Sequence, residues 1–285
     1  MKSVILKAVY SRLAQRGDSG SEINGRPLSR HQVRTYELLK EPNYDVIFNS
    51  ALTGDGKSLA AYLPALLDDR QTMGLYPTNE LGRDQERQVN SYVKDLSLAA
   101  RAQRVCRLNA DELTEQSSAH EVARQTELLR RIDGSDILMT NPDIYHLILN
   151  GYYLRRNDVF HKVFNPLVMN FGLTIFDEFH VFSAPQIVSV VNSMLLVRRA
   201  HGTVNHKFLF LSATPSDQLL QNLGRAGMRY AIVNGEYCHA LAGESGKLEQ
   251  GEYRQITQQT TLAFDAMQRP EKTAEAWLNE NAETV

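Results

Sequence analysis

The chain has 285 residues, 42% of them hydrophobic, and a formal net charge of −2 at pH 7. That length holds one α/β domain with an appendage or two small domains, and the composition is that of a globular protein with a real core. The near-neutral balance excludes a bulk polyelectrolyte binder, so any nucleic acid must be held by a local groove. Two cysteines, Cys106 and Cys238, exclude a disulfide framework and have no metal-ligand spacing, which suits a reducing cytosol. The apolar run within the first six residues is too short for a signal peptide or a membrane span.

Residues 1–43 read as a lead-in. Loop composition at Gly17-Asp18-Ser19-Gly20-Ser21 is followed by a short helix over Ser29–Lys40 with Ser29 as its N-cap. On that helix, the amide of Gln32 has the donor and acceptor needed to read an adenine edge; a solvated helical glutamine is the alternative. From residue 44, apolar runs alternate with helical stretches, the signature of βαβ units and a parallel sheet. Strands are expected at 45–49, 72–76, 104–108, 136–140, 173–177 and 207–211. Helices are expected at 57–68, 80–96, 111–131, 142–149, 185–199 and 216–226, the first kinked at Pro64. No acidic residue lies between Glu178 and Asp217, whereas after Ala242 eight carboxylates face four Lys/Arg. That shift marks a boundary, giving a central domain over 44–233 and a separate region over 234–285.

The central domain opens on Ala51-Leu52-Thr53-Gly54-Asp55-Gly56-Lys57-Ser58, between a strand-like and a helix-like run. This is the context of a phosphate-binding loop. Glycines let backbone N–H groups curl around phosphate oxygens, and the following helix N-terminus adds positive dipole character. Lys57 is placed for the β- and γ-phosphates of ATP and the Ser58 hydroxyl for Mg²⁺.

Further segments end strands on what must be the same sheet edge. Asp177-Glu178-Phe179-His180 follows the apolar run 173–176; Asp177 suits Mg²⁺, held through water, and Glu178 suits polarisation of the attacking water. Ser212-Ala213-Thr214 offers hydroxyls to the neighbouring carboxylates, coupling the nucleotide site to moving parts. Pro77-Thr78-Asn79 and Thr140-Asn141-Pro142 suit either phosphate-backbone contacts or plain helix capping. A basic-aromatic stretch, Tyr152 to Phe164, suits either stacking on an unpaired strand or a helix with a buried aromatic face.

Together these residues resemble a superfamily 2 DExH helicase over about residues 26–230. Ala51 stands where many phosphate loops have glycine, and Ala-x-Thr-Gly-x-Gly-Lys-Ser is the spelling helicases tend to use. The resemblance implies an α/β, RecA-like P-loop NTPase fold of three layers around a mostly parallel sheet. Gln32 is similar to the adenine-reading glutamine, Ala51–Ser58 to motif I, Asp177–His180 to motif II and Ser212–Thr214 to motif III. Pro77–Leu81 is similar to motif Ia, and Thr140–Asp143 to the later strand-contacting motif before motif II. More narrowly, Thr53–Ser58, Tyr76–Leu81, Thr140–Asp143 and Phe176–His180 resemble the type I-D CRISPR-associated effector helicase. That likeness implies a prokaryotic, cytoplasmic, ATP- and Mg²⁺-dependent translocase. Its partners would be single-stranded DNA, a guide-RNA complex and a separate nuclease subunit, with no membrane. Such helicases use a second RecA-like domain, of which residues after 230 carry no sign, so this stretch alone is expected to hydrolyse ATP weakly. The alternatives are a nucleotide-dependent scaffold whose hydrolysis needs a partner, and another DExH helicase of RNA or DNA.

Overall fold

The computed structural model describes residues 2–15, 21–95, 104–120, 124–149, 167, 169–201, 206–212, 215, 217–241 and 252–264. In chain order it begins with strands β1 (Lys2–Leu6) and β2 (Ala8–Arg12), then a small hairpin, β3 (Glu22–Ile23) and β4 (Arg26–Pro27). Asn24 and Gly25 turn that hairpin with φ of 49° and 78°, the left-handed pair that a two-residue turn requires. There follow α1 (Arg30–Lys40), β5 (Val46–Asn49), α2 (Lys57–Asp68), β6 (Thr72–Leu75), α3 (Asn79–Asp95) and β7 (Val105–Arg107). Next come α4 (Ala110–Ala119), α5 (Arg124–Asp133), β8 (Ile137–Thr140), α6 (Pro142–Leu149), β9 (Leu173–Asp177) and α7 (Ala184–His201). The last elements are β10 (Lys207–Leu211), α8 (Asp217–Arg225), β11 (Tyr230–Val233), β12 (Tyr237–Ala240), β13 (Tyr253–Thr257) and β14 (Thr260–Phe264).

Two compact units result, one of residues 13–236 and one formed by residues 1–12 with 237–285. In the smaller unit β2 pairs antiparallel with β12 and β13, and β1 pairs antiparallel with β14. The larger unit is built on a seven-stranded sheet in the order β11-β5-β10-β9-β6-β8-β7. Every pairing in it is parallel, so all carboxyl ends of its strands lie on one edge. Parallel strands covered on both faces should be continuously apolar, and β5, β6, β8, β9 and β10 are buried throughout.

The two faces carry separate cores. One gathers Ile47, Ile137, Met139, Ile175 and Leu209 with α1, α2 and α3. The other gathers Val46, Phe48, Phe176, Phe208 and Phe210 with α4 to α8. The result is the expected three-layer α/β P-loop fold. Helix α2 runs on through Pro64. The single helix expected over 111–131 is two, α4 and α5. The expected strands are present, and β11, short and half-exposed at the sheet edge, is one more. The stretch 152–164, Ala213 and Thr214 lie outside the described residues.

Candidate nucleotide and nucleic-acid site

The phosphate loop leaves the carboxyl end of β5. Gly54 and Gly56 have φ of 84° and 82°, a region a side chain enters only with strain, so glycine is required at both. Gly56 is the N-cap of α2, and Lys57 and Ser58 form its first turn. The N–H groups that head a helix have no acceptor inside it and point at whatever sits before them. Thr53 and Gly54 are exposed and Gly56, Lys57 and Ser58 half-buried, whereas Ala51 and Asp55 are buried.

The buried side of the loop is tied to α1. Asp55 accepts a hydrogen bond from Ser29 Oγ at 3.2 Å on one carboxylate oxygen and lies 3.1 Å from His31 Nε2 on the other. His31 Nδ1 is 3.2 Å from the amide nitrogen of Asn49, which can only donate, so Nδ1 accepts and Nε2 carries the proton facing Asp55. Asn49 also donates to Thr35 Oγ1 and accepts from the N–H of Ala51. Gln32, with no exposed surface, accepts from Ser29 N–H at 2.9 Å and donates to the Gly56 carbonyl at 3.0 Å. It is therefore neither solvated nor turned outward: its amide faces the loop.

Motif Asp177–His180 closes the next face of the site. Asp177 ends β9, and its Oδ1 accepts the N–H of Glu178 at 2.9 Å. Burial, followed by the charge of Glu178, pushes the Asp177 carboxyl up to about 6, against the opposing pull of that N–H and of Lys57. Glu178 sits at φ 47°, a left-handed conformation rare for a side-chain-bearing residue and typical of functional positions. Phe179 explains how that strain is held. Its ring packs edge-on against Phe210 at 4.8 Å and tilted against Phe182 at 5.2 Å, driving the turn into the core. His180 is exposed, its Nδ1 3.3 Å from Glu178 Oε2.

Beneath the site lie Tyr62 of α2 and Tyr76, hydrogen-bonded to each other through their hydroxyls and fully buried. Burial raises both phenols well above their ordinary value, so both remain protonated. Gly74 makes room for them: a Cβ there would fall 2.4 Å from the Tyr62 hydroxyl.

Ser212 follows β10 on the same edge, buried, with its N–H donating to the Asn49 carbonyl. Thr78 caps α3 by accepting the N–H of Leu81, and Asn141 caps α6 by accepting that of Ile144. The two caps meet where Asn141 donates to Asn79 at 3.2 Å. Thr78 and Asn79 are exposed and Pro77 and Asn141 half-buried. Thr140 and Pro142 are buried, and the Thr140 hydroxyl donates into the fold, to the Leu108 carbonyl. Among the described residues no cluster of three or more His, Cys, Asp or Glu could hold a metal by itself. Ser58 and the buried carboxylate of Asp177 instead fit a Mg²⁺ that arrives with phosphate oxygens of its own.

Comparison with known proteins decides the family. Residues 29–223 match the DEAD/DEAH box helicase domain. The chain belongs to that family. No curated protein sequence matches it. Among solved structures, the DUF1998 helicase MrfA bound to DNA is similar over 82% of this chain and 32% of its own, at 18% identity and a TM-score of 0.57. A hypothetical ATP-dependent RNA helicase from Sulfolobus tokodaii is similar over 74% of this chain and 54% of its own, at 16% identity and a TM-score of 0.51. Yeast Prp28, a DEAD-box splicing factor, is similar over 77% and 47%, at 17% identity and a TM-score of 0.51. Identities this low speak for the shared fold. The chain spans about a third to a half of the length of these structures.

Proposed function

We propose that this chain is the ATP-binding part of a helicase or translocase that moves on single-stranded nucleic acid. One observation carries the reading. Adjacent parallel strands β8, β6, β9, β10 and β5 deliver Asn141, Asn79, Asp177–His180, Ser212 and the phosphate loop to a single edge. A nucleotide-binding end and an end of exposed hydroxyl and amide caps thus share one row. In this reading Gly54, Gly56 and the α2 N-terminus receive phosphate oxygens, with Lys57 countering their charge. Ser58 and Asp177 hold Mg²⁺, and Glu178 orients water and takes its proton. Bound ATP–Mg²⁺ supplies the phosphoryl group whose transfer to water drives movement. Thr78, Asn79 and Asn141 contact the nucleic-acid backbone.

The finer reading is the DNA helicase of a type I-D CRISPR system, working with a guide-RNA complex and a separate nuclease in a prokaryotic cytoplasm. The spellings Thr53–Ser58, Tyr76–Leu81, Thr140–Asp143 and Phe176–His180 support it. The test is steady-state ATP hydrolysis with and without single-stranded DNA or RNA. Stimulation by DNA of about tenfold, ordinary for coupling between two sites, is expected. Stronger stimulation by RNA would favour an RNA helicase, and none by either would favour a nucleotide-dependent scaffold.

A further inference from the structure

Tyr62 and Tyr76 take no part in holding phosphate or metal, yet the fold makes room for them. Tyr62 lies in the second turn of α2 and Tyr76 directly follows β6; both are buried, and their hydroxyls bond to each other. The space comes from Gly74, where a Cβ would fall 2.4 Å from the Tyr62 hydroxyl and 2.9 Å from the Tyr76 ring. A glycine inside a strand weakens it, having no side chain to pack. The bond it admits adds little net stability, because replacing both partners of a buried hydrogen bond by apolar groups of the same shape is nearly neutral. Stability alone therefore does not account for the arrangement.

The position of the pair does. Tyr62 belongs to the helix whose first turn carries Lys57 and Ser58. Tyr76 immediately precedes Pro77, Thr78 and Asn79, and its N–H donates to the Thr140 carbonyl at 2.9 Å. It thus borders both exposed caps, which meet where Asn141 donates to Asn79. On the other side Leu75 is level with Phe176, so Tyr76 and Asp177 leave adjacent strands together. Besides burial, the charge of Asp177 acts on both phenols. The covalent path from Ser58 to Thr78 runs down α2 to Asp68 and returns along β6. The hydroxyl bond bridges that path near its two ends. Coupling between sites travels through contacts of this kind, between packed elements that move as units.

We propose that Tyr62 and Tyr76 are positioning residues whose hydroxyl bond ties the phosphate end of α2 to the turn at Thr78 and Asn79. A single strand gripped by that turn then alters how tightly nucleotide is held, and bound nucleotide alters the grip by the same factor. The inference rests on the nucleotide and nucleic-acid reading above and assigns the contact through which its two ends communicate. Neither phenol has to touch phosphate or strand; both act through the elements they join.

The experiment measures the affinity of the full chain for a fluorescent ATP analogue with Mg²⁺, with and without saturating oligo(dT) or oligo(rU). Wild type, Y62F, Y76F and Y62F/Y76F are compared, each with its urea unfolding midpoint. In the wild type the more effective oligonucleotide is expected to shift nucleotide affinity about tenfold. Each single variant leaves a buried hydroxyl without its partner and should lower the midpoint; the double variant removes both and should recover it. Without oligonucleotide, the double variant should bind nucleotide within about twofold of wild type, while the shift caused by oligonucleotide falls below about twofold. Recovered stability with lost communication is a result that a purely structural pair would not give. A double variant that keeps the full shift would overturn the proposal. So would one less stable than either single variant, which would make the pair plain packing. Loss of nucleotide binding without oligonucleotide would overturn it too, since the pair would then belong to the phosphate site. Should a single variant not fold, the double variant still decides. If the wild type shows no shift with either oligonucleotide, the nucleic-acid reading itself fails, and this inference with it. A wild-type shift that survives in Y62F/Y76F leaves that reading standing and removes only the role of the two tyrosines.

Discussion

The two edges of the central sheet are built on opposite principles. At the amino ends of the strands, each edge strand is fastened in the same way. Arg229, just before β11, gives its N–H to Asp45 at 2.8 Å and adds a guanidinium contact at 3.2 Å; Arg104, just before β7, does the same to Asp136 at the same distances. Between them, Arg70 donates to the carbonyls of Leu39 and Gly172, and Lys207 to those of Glu41 and Tyr44. Burial alone would raise the Asp45 and Asp136 carboxyls, but their arginines outweigh it and hold both below the usual range. At the carboxyl ends, Asp177 is shifted the other way and Glu178 is held in a strained conformation. A satisfied edge contributes stability; an edge with charge left uncompensated is one prepared for a ligand.

Substitutions on each edge should therefore fail in different assays. The largest effect is expected for Lys57→Ala, which removes the loop cation. Nucleotide affinity and hydrolysis should fall by about 10²-fold or more, the scale of losing one preorganised charge contact, with the urea unfolding midpoint little changed. Glu178→Gln should cut turnover by about 10²-fold, as for loss of a general base, while fluorescent-nucleotide binding persists. Loss of binding in Glu178→Gln would instead make that carboxylate part of the phosphate or metal site.

Gly74→Ala tests the floor beneath the site. Its methyl would collide with the Tyr62–Tyr76 pair, and overpacking of this kind costs about 1–3 kcal/mol, read as a lower denaturant midpoint. Arg104→Ala and Arg229→Ala should each lower the denaturant midpoint only slightly, because these arginines are exposed and their pairs screened by solvent, and should leave hydrolysis untouched.

A pH-dependent effect concerns Lys207, whose ammonium is pushed down to about 8 by burial, then by the charge of Arg70. A lysine that loses its proton earlier in the folded than in the unfolded state binds fewer protons when folded. Stability should then rise with pH above 8, up to the ordinary lysine value. The measurement is the difference in unfolding midpoint between wild type and Lys207→Met from pH 7 to pH 10, which should shift in favour of the wild type as pH rises.

The carboxyl edge was far more legible in the sequence than the fastened one. Gly54, Gly56, Lys57 and the Asp177–Glu178 pair advertise themselves because loop chemistry tolerates few residue types. The buried runs 173–176 and 208–211 marked central strands in the same direct way. What escaped were pairings between residues remote in sequence. Arg229 and Asp45 look like ordinary surface charges until the parallel register of β11 and β5 sets them side by side. Asn49 and His31 carried a fainter signal, a polar residue closing an apolar strand and a histidine on the buried face of an amphipathic helix. Gln32 drew attention by residue type, which fits a base edge, while its bonds to Ser29 and Gly56 became visible only in the fold. Helix α4 separated from α5, and β11 went unread, because a period of helical or alternating residues says little about where a short element stops.

The most direct test sets the same substitution on both edges: Asp177→Asn and Asp45→Asn, each measured for Mg²⁺-dependent nucleotide binding and for unfolding midpoint at pH 7.5. The raised Asp177 carboxyl is a burden on the free protein at that pH, and the lowered Asp45 carboxyl is a support. Asp177→Asn is expected to lose Mg²⁺-dependent binding with an unchanged or higher midpoint. Asp45→Asn is expected to bind normally with a lower one. If Asp45→Asn abolished nucleotide binding while Asp177→Asn kept it and lost stability, the assignment of function to the carboxyl edge would be wrong.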